Sequence, residues 1–276
     1  GNSPFGTVMP ESMRDSPAWC AAEARLARMG AAFDARVASA ASKLRLPAPG
    51  SGLLVRPISS DLNLLATAPA LEPGLLPLPS NAVMTGPCLR AVGALDEEGY
   101  AVLRALPENR PRVYVSLGTV FNEKPLVLRT LIKGAAATGA HVVVSAGASF
   151  KSLLDLRSES VHIHRFVPQV PLLECVDAVI THGGNNTVQE CLAVGKPMVV
   201  VPFGGDQLAN AHRVARLGVG VSVSADSLTP ALVADSLEQL RGFGFAERAR
   251  KVARALQAFR GTKAAADEIE RFAGLG

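Results

Sequence analysis

Short apolar runs alternate with longer amphipathic stretches along residues 112–240, and this alternation predicts strands that are each followed by a helix. The predicted strands are 112–117, 141–145, 161–166, 178–181, 197–201 and 220–223. The predicted helices are 124–138, 171–175, about 186–193, 207–217 and 230–240. Repeated strand and helix in this order is typical of an α/β fold with a doubly wound parallel sheet, which binds ligands at the carboxyl ends of its strands.

The first part of the chain has a different pattern. A polar loop leads into a long alanine-rich helical pattern from 17 to about 46, and a Pro- and Gly-rich passage follows with predicted strands at 62–67 and 81–85. About two strands cannot bury both faces of a parallel sheet. A segment with so few strands is not a complete domain of this kind, so we expect residues 1–92 and residues 93–276 to belong to two different domains.

A glycine-rich turn follows the predicted strand 178–181. Residues 182–187 have the sequence His-Gly-Gly-Asn-Asn-Thr and lead directly into a helical pattern. The first amides of a helix lack intrahelical partners and carry partial positive charge, so this arrangement favours an anion such as phosphate. The two glycines permit close backbone approach. We expect either Asn186 or Thr187 to cap the helix or to bond a phosphate oxygen.

Glu190 lies one turn further along on the same face of the predicted helix. A carboxylate is a poor phosphate ligand, but it accepts well from two sugar hydroxyls, as in ribose recognition. The loops 116–119, 166–169, 182–187 and 204–207 all follow predicted strands, so we expect them to meet at one rim of the sheet. These residues favour a phosphate-bearing ligand at that rim.

Composition and charge narrow the class of protein. The chain has 276 residues, of which 48% are hydrophobic and 19% charged, and its formal net charge is +4. The densest basic run, 248–254, falls in an amphipathic helical pattern at 246–260, which is typical of a solvated face rather than of a nucleic-acid surface. No apolar run reaches the ~18 residues of a membrane span. The start has no signal-peptide layout, and we expect a cytoplasmic enzyme without integral membrane association.

The four cysteines do not form a metal-binding or disulfide pattern. Cys20, Cys88, Cys175 and Cys191 have no CxxC spacing, so neither a zinc site nor a disulfide framework is expected. We expect reduced and mostly buried thiols.

A larger pattern includes the glycine turn. Residues 166–169, 182–187, Glu190, 195–198, Pro202 and 206–210 together resemble the signature of inverting nucleotide-sugar glycosyltransferases of the GT-B fold. The resemblance is to the group that includes macrolide glycosyltransferases and UDP-glycosyltransferases (family 1), and its order and spacing fit over about 45 residues. It implies a complete C-terminal Rossmann-like donor domain and the trailing part of an N-terminal Rossmann-like acceptor domain, with a C-terminal helix at the end of the chain.

The resemblance also implies roles for individual residues. Phe166 matches the aromatic residue that stacks on the nucleobase, where the family usually has tryptophan, and this departure leaves uracil and thymine undecided. By the same resemblance, the nucleobase-binding residues are Phe166 and Val167, the ribose-binding residues are Gln169 and Glu190, the diphosphate-binding residues are Ser116, Gly118, Thr119, His182, Gly184, Asn186 and Thr187, and the sugar-binding residues are Asp206 and Gln207.

The implied reaction is transfer of a sugar from a UDP- or dTDP-sugar to a hydroxyl of a small hydrophobic acceptor, with inversion. The nucleotide sugar is a co-substrate, and neither a cofactor nor a metal is expected. The general base of the family is expected upstream of Gly1, so no catalytic residue is assigned, and the upstream segment is a possible second chain. Two alternatives stay open: a UDP-N-acetylglucosamine epimerase or cell-wall transferase of the same fold, and a donor-binding subunit or fragment that needs a partner chain.

Overall fold

The computed structural model describes residues 17–45, 59–72, 77–89, 106–107, 109–118, 123–242 and 244–274. Helix α1 (Pro17–Lys43) comes first, and strands β1 (Asn63–Leu65) and β2 (Ala82–Met84) form a two-stranded parallel sheet. The helix and both strands predicted for this part of the chain are therefore confirmed, with shorter bounds.

Six further strands form one parallel sheet in the order β5-β4-β3-β6-β7-β8. These strands are β3 (Arg112–Ser116), β4 (His141–Ser145), β5 (Val161–His164), β6 (Ala178–Thr181), β7 (Met198–Val200) and β8 (Gly220–Ser222). Every strand predicted for residues 112–223 is present, and the parallel sheet is confirmed.

Helices cover both faces of this sheet. They are α2 (Pro125–Ala137), α3 (Gln169–Cys175), α4 (Asn185–Ala193), α5 (Asp206–Arg216), α6 (Pro230–Arg241), α7 (Phe245–Leu256) and α8 (Thr262–Phe272). On one face, Val115 belongs to a buried cluster with Leu128 of α2. On the other face, Tyr114 belongs to a second cluster with Val188 of α4. Burial on both faces explains why the strands are almost continuously apolar.

The first part of the chain packs directly on the larger sheet unit. Ala68 and Leu71 are fully buried in the cluster that contains Tyr114. Gln189 of α4 donates from Nε2 to the carbonyl oxygen of Ala66 at 3.1 Å. The segment after β1 therefore shares a core with the helices that follow β6.

A second junction joins the segment after β2 to the connection between α7 and α8. The Gly261 amide donates to the Thr85 carbonyl oxygen at 3.0 Å. A Cβ built on Gly86 would stand 2.3 Å from Phe259 Cβ, and one built on Gly261 would stand 2.2 Å from the Pro87 carbonyl oxygen. Because neither position has room for a Cβ, the two segments cross at backbone contact.

The structure differs from the predicted pattern at two 3₁₀ helices and at the end of β5. The 3₁₀ helices are Gly147–Leu156, between β4 and β5, and Ala225–Ser227, after β8. In the longer one, Phe150, Leu153 and Leu156 recur every three residues and pack against one core cluster, a period that fits a 3₁₀ helix rather than the 3.6-residue repeat of an α-helix. Strand β5 ends at His164, two residues before the predicted end, and Pro168 then serves as the N-cap residue of α3.

The surface and cysteine predictions have mixed outcomes. In α7, Ala249 and Leu256 are buried while Arg250 and Arg254 are exposed, which confirms the solvated basic face. Cys191 is buried, but Cys88 is exposed and Cys175 half-buried, so the expectation of mostly buried thiols is wrong for the described cysteines.

Across the described ranges, no helix combines the length and apolar character that crossing a membrane requires.

Candidate functional site

The carboxyl ends of β3 and β6 form the centre of the candidate site. The chain runs outward from β3 through β4 to β5, and outward from β6 through β7 to β8. These two strands therefore flank a topological switch point, where open parallel sheets bind ligands. Ser116 at the end of β3 pairs in register with Thr181 at the end of β6, so the loops that follow them start side by side.

The His182 ring lies between two glycine backbones. A Cβ built on Gly118 would stand 2.5 Å from His182 Cε1, and one built on Gly184 would stand 2.6 Å from His182 Nε2. Both distances are too short for a real Cβ. Gly118 also has a φ of 71°, which favours glycine. Glycine at these two positions therefore lets the loops after β3 and β6 close on the imidazole.

The environment of His182 favours the neutral form of its imidazole. The residue is 8% exposed, and burial lowers its pKa, while the carboxylate of Asp206 acts against that shift. His182 Nδ1 lies 3.4 Å from Thr181 Oγ1. A neutral imidazole carries one N–H, so this side chain can donate a hydrogen bond to an anion without adding a charge to the site.

Helix α4 begins at this rim. Its N-cap residue is Gly184, which has no side chain to cap the helix, so the capping alternative for Asn186 and Thr187 is wrong, while their bonding to a phosphate oxygen stays a prediction. The physical reason is that the helix begins at Asn185, which places both residues inside its first turn; there the Thr187 hydroxyl accepts a hydrogen bond from Gln169 Nε2 at 3.3 Å, and Asn186 is exposed. Asp206 Oδ2 accepts from the Asn185 amide, and the positive end of the helix attracts an anion beside it.

Gln169 and Glu190 form a hydrogen-bonded pair between α3 and α4. Gln169 Nε2 donates to Glu190 Oε2, and Glu190 is 8% exposed. The hydroxyl of Tyr114 in β3 donates to Gln169 Oε1 at 3.0 Å, which orients the amide so that its NH₂ group points to the carboxylate. Burial raises the pKa of Tyr114, so the phenol keeps its proton. The structure thus brings the two residues predicted to bind ribose together.

Asp206 and Gln207 begin α5 beside the start of α4. Asp206 Oδ2 accepts hydrogen bonds from the Asn185 amide and from Asn210 Nδ2, both at 3.3 Å. Gln207 is 2% exposed, and its Oε1 accepts from the Phe203 amide at 2.8 Å. Gln207 therefore holds the loop that leads to Asp206, a contact that the sequence did not indicate.

The remaining predicted residues have different environments. Phe166 follows β5 and is 64% exposed, which leaves its ring accessible to a planar ligand. Val167 is half-buried against the core. Ser116 is buried, and its Oγ accepts from the Gly118 amide at 3.2 Å. Thr119 lies outside the described residues.

Sequence reasoning missed two residues that hold this site in place. Tyr114 orients Gln169, and Asn210 donates to Asp206 and also to the Gly183 carbonyl oxygen, at 2.8 Å. Each has a weak signal in the sequence: Tyr114 carries a hydroxyl within an apolar strand, and Asn210 lies one helical turn after Asp206. Neither signal indicates which distant residue the side chain contacts.

Comparisons with known proteins identify a matching domain family and relatives that are named as glycosyltransferases. Residues 129–264 match the domain family described as the erythromycin biosynthesis protein CIII-like C-terminal domain. The uncharacterized UDP-glucosyltransferase YojK of Bacillus subtilis (strain 168) is 26% identical over 267 residues, which are 96% of this chain and 62% of YojK. The chain thus spans less than two thirds of that relative's length.

Solved structures are similar over most of the described fold. The glycotransferase of kitacinnamycin is 29% identical with a TM-score of 0.73, over 96% of this chain and 68% of that one. CalG4, the calicheamicin glycosyltransferase, is 26% identical with a TM-score of 0.68, over 87% of this chain and 60% of that one.

The parallel sheet, its topological switch point and the glycine turn that opens α4 define a domain of the GT-B glycosyltransferase type. The chain is similar to glycosyltransferases of the family 1 group, which includes the macrolide glycosyltransferases and UDP-glycosyltransferases, and residues 129–264 match the EryCIII-like C-terminal domain.

Proposed function

We propose that the protein transfers a sugar from a UDP- or dTDP-sugar to a hydroxyl of a small hydrophobic acceptor, with inversion at the anomeric carbon. The observation that carries this proposal is the hydrogen-bonded pair of Gln169 and Glu190 beside the start of α4 and the buried His182. A carboxylate that can accept from ribose hydroxyls, next to a helix end that attracts phosphate, suits a nucleoside diphosphate. The names of the similar proteins support sugar transfer as the activity.

In this proposal each part of the donor has its own residues. The nucleobase stacks on Phe166 beside Val167, ribose bonds Gln169 and Glu190, the diphosphate contacts Ser116, Gly118, Thr119, His182, Gly184, Asn186 and Thr187, and the sugar bonds Asp206 and Gln207. Gln207 would act through its amide nitrogen, since its Oε1 accepts from the Phe203 amide.

The proposed chemistry is direct displacement. The acceptor oxygen forms a bond to the anomeric carbon as the bond from that carbon to the diphosphate oxygen breaks, and the acceptor proton passes to a base. Negative charge develops on the leaving diphosphate, where the His182 N–H and the positive end of α4 stabilise it. We propose that this stabilisation needs no metal ion. The general base is not assigned among the described residues.

We propose that residues 1–92 are part of the acceptor-binding domain and that residues 93–276 form the donor domain. The alternatives of an epimerase or cell-wall transferase, or of a donor-binding subunit or fragment that needs a partner chain, are not favoured, since the similar proteins are named as a UDP-glucosyltransferase, as the glycotransferase of kitacinnamycin and as the calicheamicin glycosyltransferase.

Donor binding is tested by calorimetry with UDP, dTDP, UDP-glucose and dTDP-glucose. We expect Asp206→Ala to leave the affinity for the free nucleotide nearly unchanged and to weaken binding of the nucleotide sugar, because its assigned partner is the sugar. Equal losses for both kinds of ligand would refute the Asp206 assignment, and a wild-type chain that binds none of the four would refute the donor site itself.

Transfer is tested separately by mass spectrometry with a panel of flavonoid and macrolide acceptors. The chain is assayed alone and extended at its N-terminus by an acceptor-domain segment from a relative, each with and without EDTA. We expect product from the extended chain in both conditions. Donor binding without product from either form would contradict the transfer proposal, and loss of product in EDTA would contradict metal independence.

A further inference from the structure

A buried polar network connects the first part of the chain to the candidate site. The Glu72 carboxylate, in the segment after β1, forms an ion pair with the Arg213 guanidinium of α5. Both residues are buried, at 4% and 8% exposure. Arg213 Nη1 then donates to Asn210 Oδ1 at 2.6 Å. Each member is thus held by the next, from Glu72 to the residue that follows Asp206 by one helical turn.

The network ends on two backbone segments of the site. Asn210 Nδ2 donates to the Gly183 carbonyl oxygen at 2.8 Å and to Asp206 Oδ2 at 3.3 Å. Asp206 Oδ2 in turn accepts from the Asn185 amide at 3.3 Å. One asparagine therefore fixes both the glycine turn after β6 and the carboxylate at the start of α5.

The direction of these hydrogen bonds depends on Arg213. An asparagine amide has one acceptor end and one donor end. Because the guanidinium can only donate, it selects the Asn210 oxygen, and the NH₂ group is left to face Gly183 and Asp206. If Arg213 moved away, the Asn210 amide would lose the contact that sets its orientation.

Arg213 depends in turn on Glu72. A buried guanidinium without a partner carries a large desolvation cost, so removal of the carboxylate favours displacement of the arginine. Arg213 Nε is already buried without a hydrogen-bond partner in the described structure. Arg216 also contacts this segment, donating to the Leu71 carbonyl oxygen at 2.8 Å and lying 3.7 Å from Glu72 Oε2, but it has no hydrogen bond to Asn210 among the described contacts.

We propose that Glu72 and Arg213 are positioning residues for the sugar end of the donor site, acting through Asn210 on Asp206 and on the turn at Gly183. This inference rests on the proposed function, since it assigns the sugar to Asp206. It makes a residue outside the donor sheet unit part of donor recognition: Glu72 touches no donor atom but sets the geometry of a group that does.

The test compares Glu72→Gln with Arg216→Gln in the 276-residue chain. Both substitutions remove one charge beside Leu71, but only the first removes the direct partner of Arg213, since Arg216 pairs with the other carboxylate oxygen of Glu72. We expect Glu72→Gln to weaken binding of UDP-glucose or dTDP-glucose by about fivefold or more, the size of one hydrogen bond, and to weaken UDP or dTDP binding by a smaller factor, through the turn at Gly183. Arg216→Gln should leave both affinities close to wild type.

A second variant acts at the other end of the network and does not depend on Glu72. Asn210→Asp keeps an oxygen for Arg213 but replaces the NH₂ donor that faces Gly183 and Asp206. We expect a sugar-selective loss at least as large as that of Glu72→Gln. The double variant should show less than the sum of the two losses in free energy, because the two residues act in series.

The outcomes separate the two proposals. A wild-type chain that binds neither nucleotide nor nucleotide sugar refutes the proposed function and this inference with it. If the wild type binds and Glu72→Gln weakens nucleotide and nucleotide sugar equally, or changes neither, the positioning role is overturned while the donor site stands. If the Glu72→Gln protein does not fold, the Asn210→Asp variant tests the positioning role instead. Equal losses of affinity for nucleotide and nucleotide sugar in that variant, or no loss for either, overturn the role.

Discussion

Replacing Glu190 with alanine should weaken nucleotide binding with little effect on folding. The carboxylate can accept up to about four hydrogen bonds, and Gln169 Nε2 provides one of them. Alanine leaves Gln169 Nε2 its second contact, the Thr187 hydroxyl at 3.3 Å, and Tyr114 still holds the amide oxygen. The amide therefore stays in place, and the loss is confined to the contacts that Glu190 makes with ribose.

The size of the loss follows from the charge on the acceptor. A hydrogen bond that involves a charged group contributes ~1.5–3 kcal/mol, which corresponds to a roughly tenfold to hundredfold increase in Kd. UDP has two free ribose hydroxyls where dTDP has one, so Glu190→Ala should cost more affinity for UDP than for dTDP. The same variant should lose most of the wild-type preference for UDP over 2′-deoxy-UDP.

Isothermal titration calorimetry with UDP, 2′-deoxy-UDP and dTDP measures these losses. Glu174→Ala is the matched control, because Glu174 is exposed and its contact with Lys196 uses the backbone carbonyl oxygen, which alanine retains. Thermal melts of both variants check that the fold is intact. Unchanged affinity for UDP and dTDP in a folded Glu190→Ala protein would show that the ribose assignment is wrong.

Two further predictions concern residues near the pair formed by Gln169 and Glu190. Tyr114→Phe removes only the hydroxyl that orients Gln169 and should weaken UDP binding in calorimetry by ~0.5–1.5 kcal/mol; an effect on 2′-deoxy-UDP as large as that on UDP would contradict the orienting role. Burial lowers the pKa of His182, so the unfolded chain takes up more protons, and melts should show stability falling as the pH drops below about 6.5. His182→Gln should reduce this loss of stability at acid pH. An identical dependence of stability on pH in the variant and the wild type would show that His182 does not cause the loss.

The sequence predicted the strands and helices of the larger sheet unit because their signals are local. The apolar run at 178–181 matches β6 (Ala178–Thr181), and the pattern 141–145 matches β4 (His141–Ser145). A short apolar run flanked by turns predicts a buried strand of a parallel sheet without information from the rest of the chain. By contrast, the 3₁₀ helix Gly147–Leu156 has no long amphipathic repeat and was missed.

The failures within the site have a different cause. A cap at the start of α4 was one of the two roles expected for Asn186 or Thr187, but the Thr187 hydroxyl accepts from Gln169, which belongs to another helix. Asn210 also has partners that the sequence did not indicate. It contacts Gly183 and Arg213, which tertiary packing brings together and which no sequence spacing relates. Short-range patterns identify the residues able to act in a site, whereas their choice among several partners depends on tertiary packing.

The crossing of the segment after β2 with the connection between α7 and α8 bears on chimera design. Exchange of the first part of the chain between relatives would place a splice near Gly86 and Pro87, where Phe259 and Gly261 approach at backbone distance. A splice there divides a contact that has no room for a new side chain. A chimera that exchanges the first part of the chain should therefore also exchange residues 256–262, so that both sides of this contact come from the same protein.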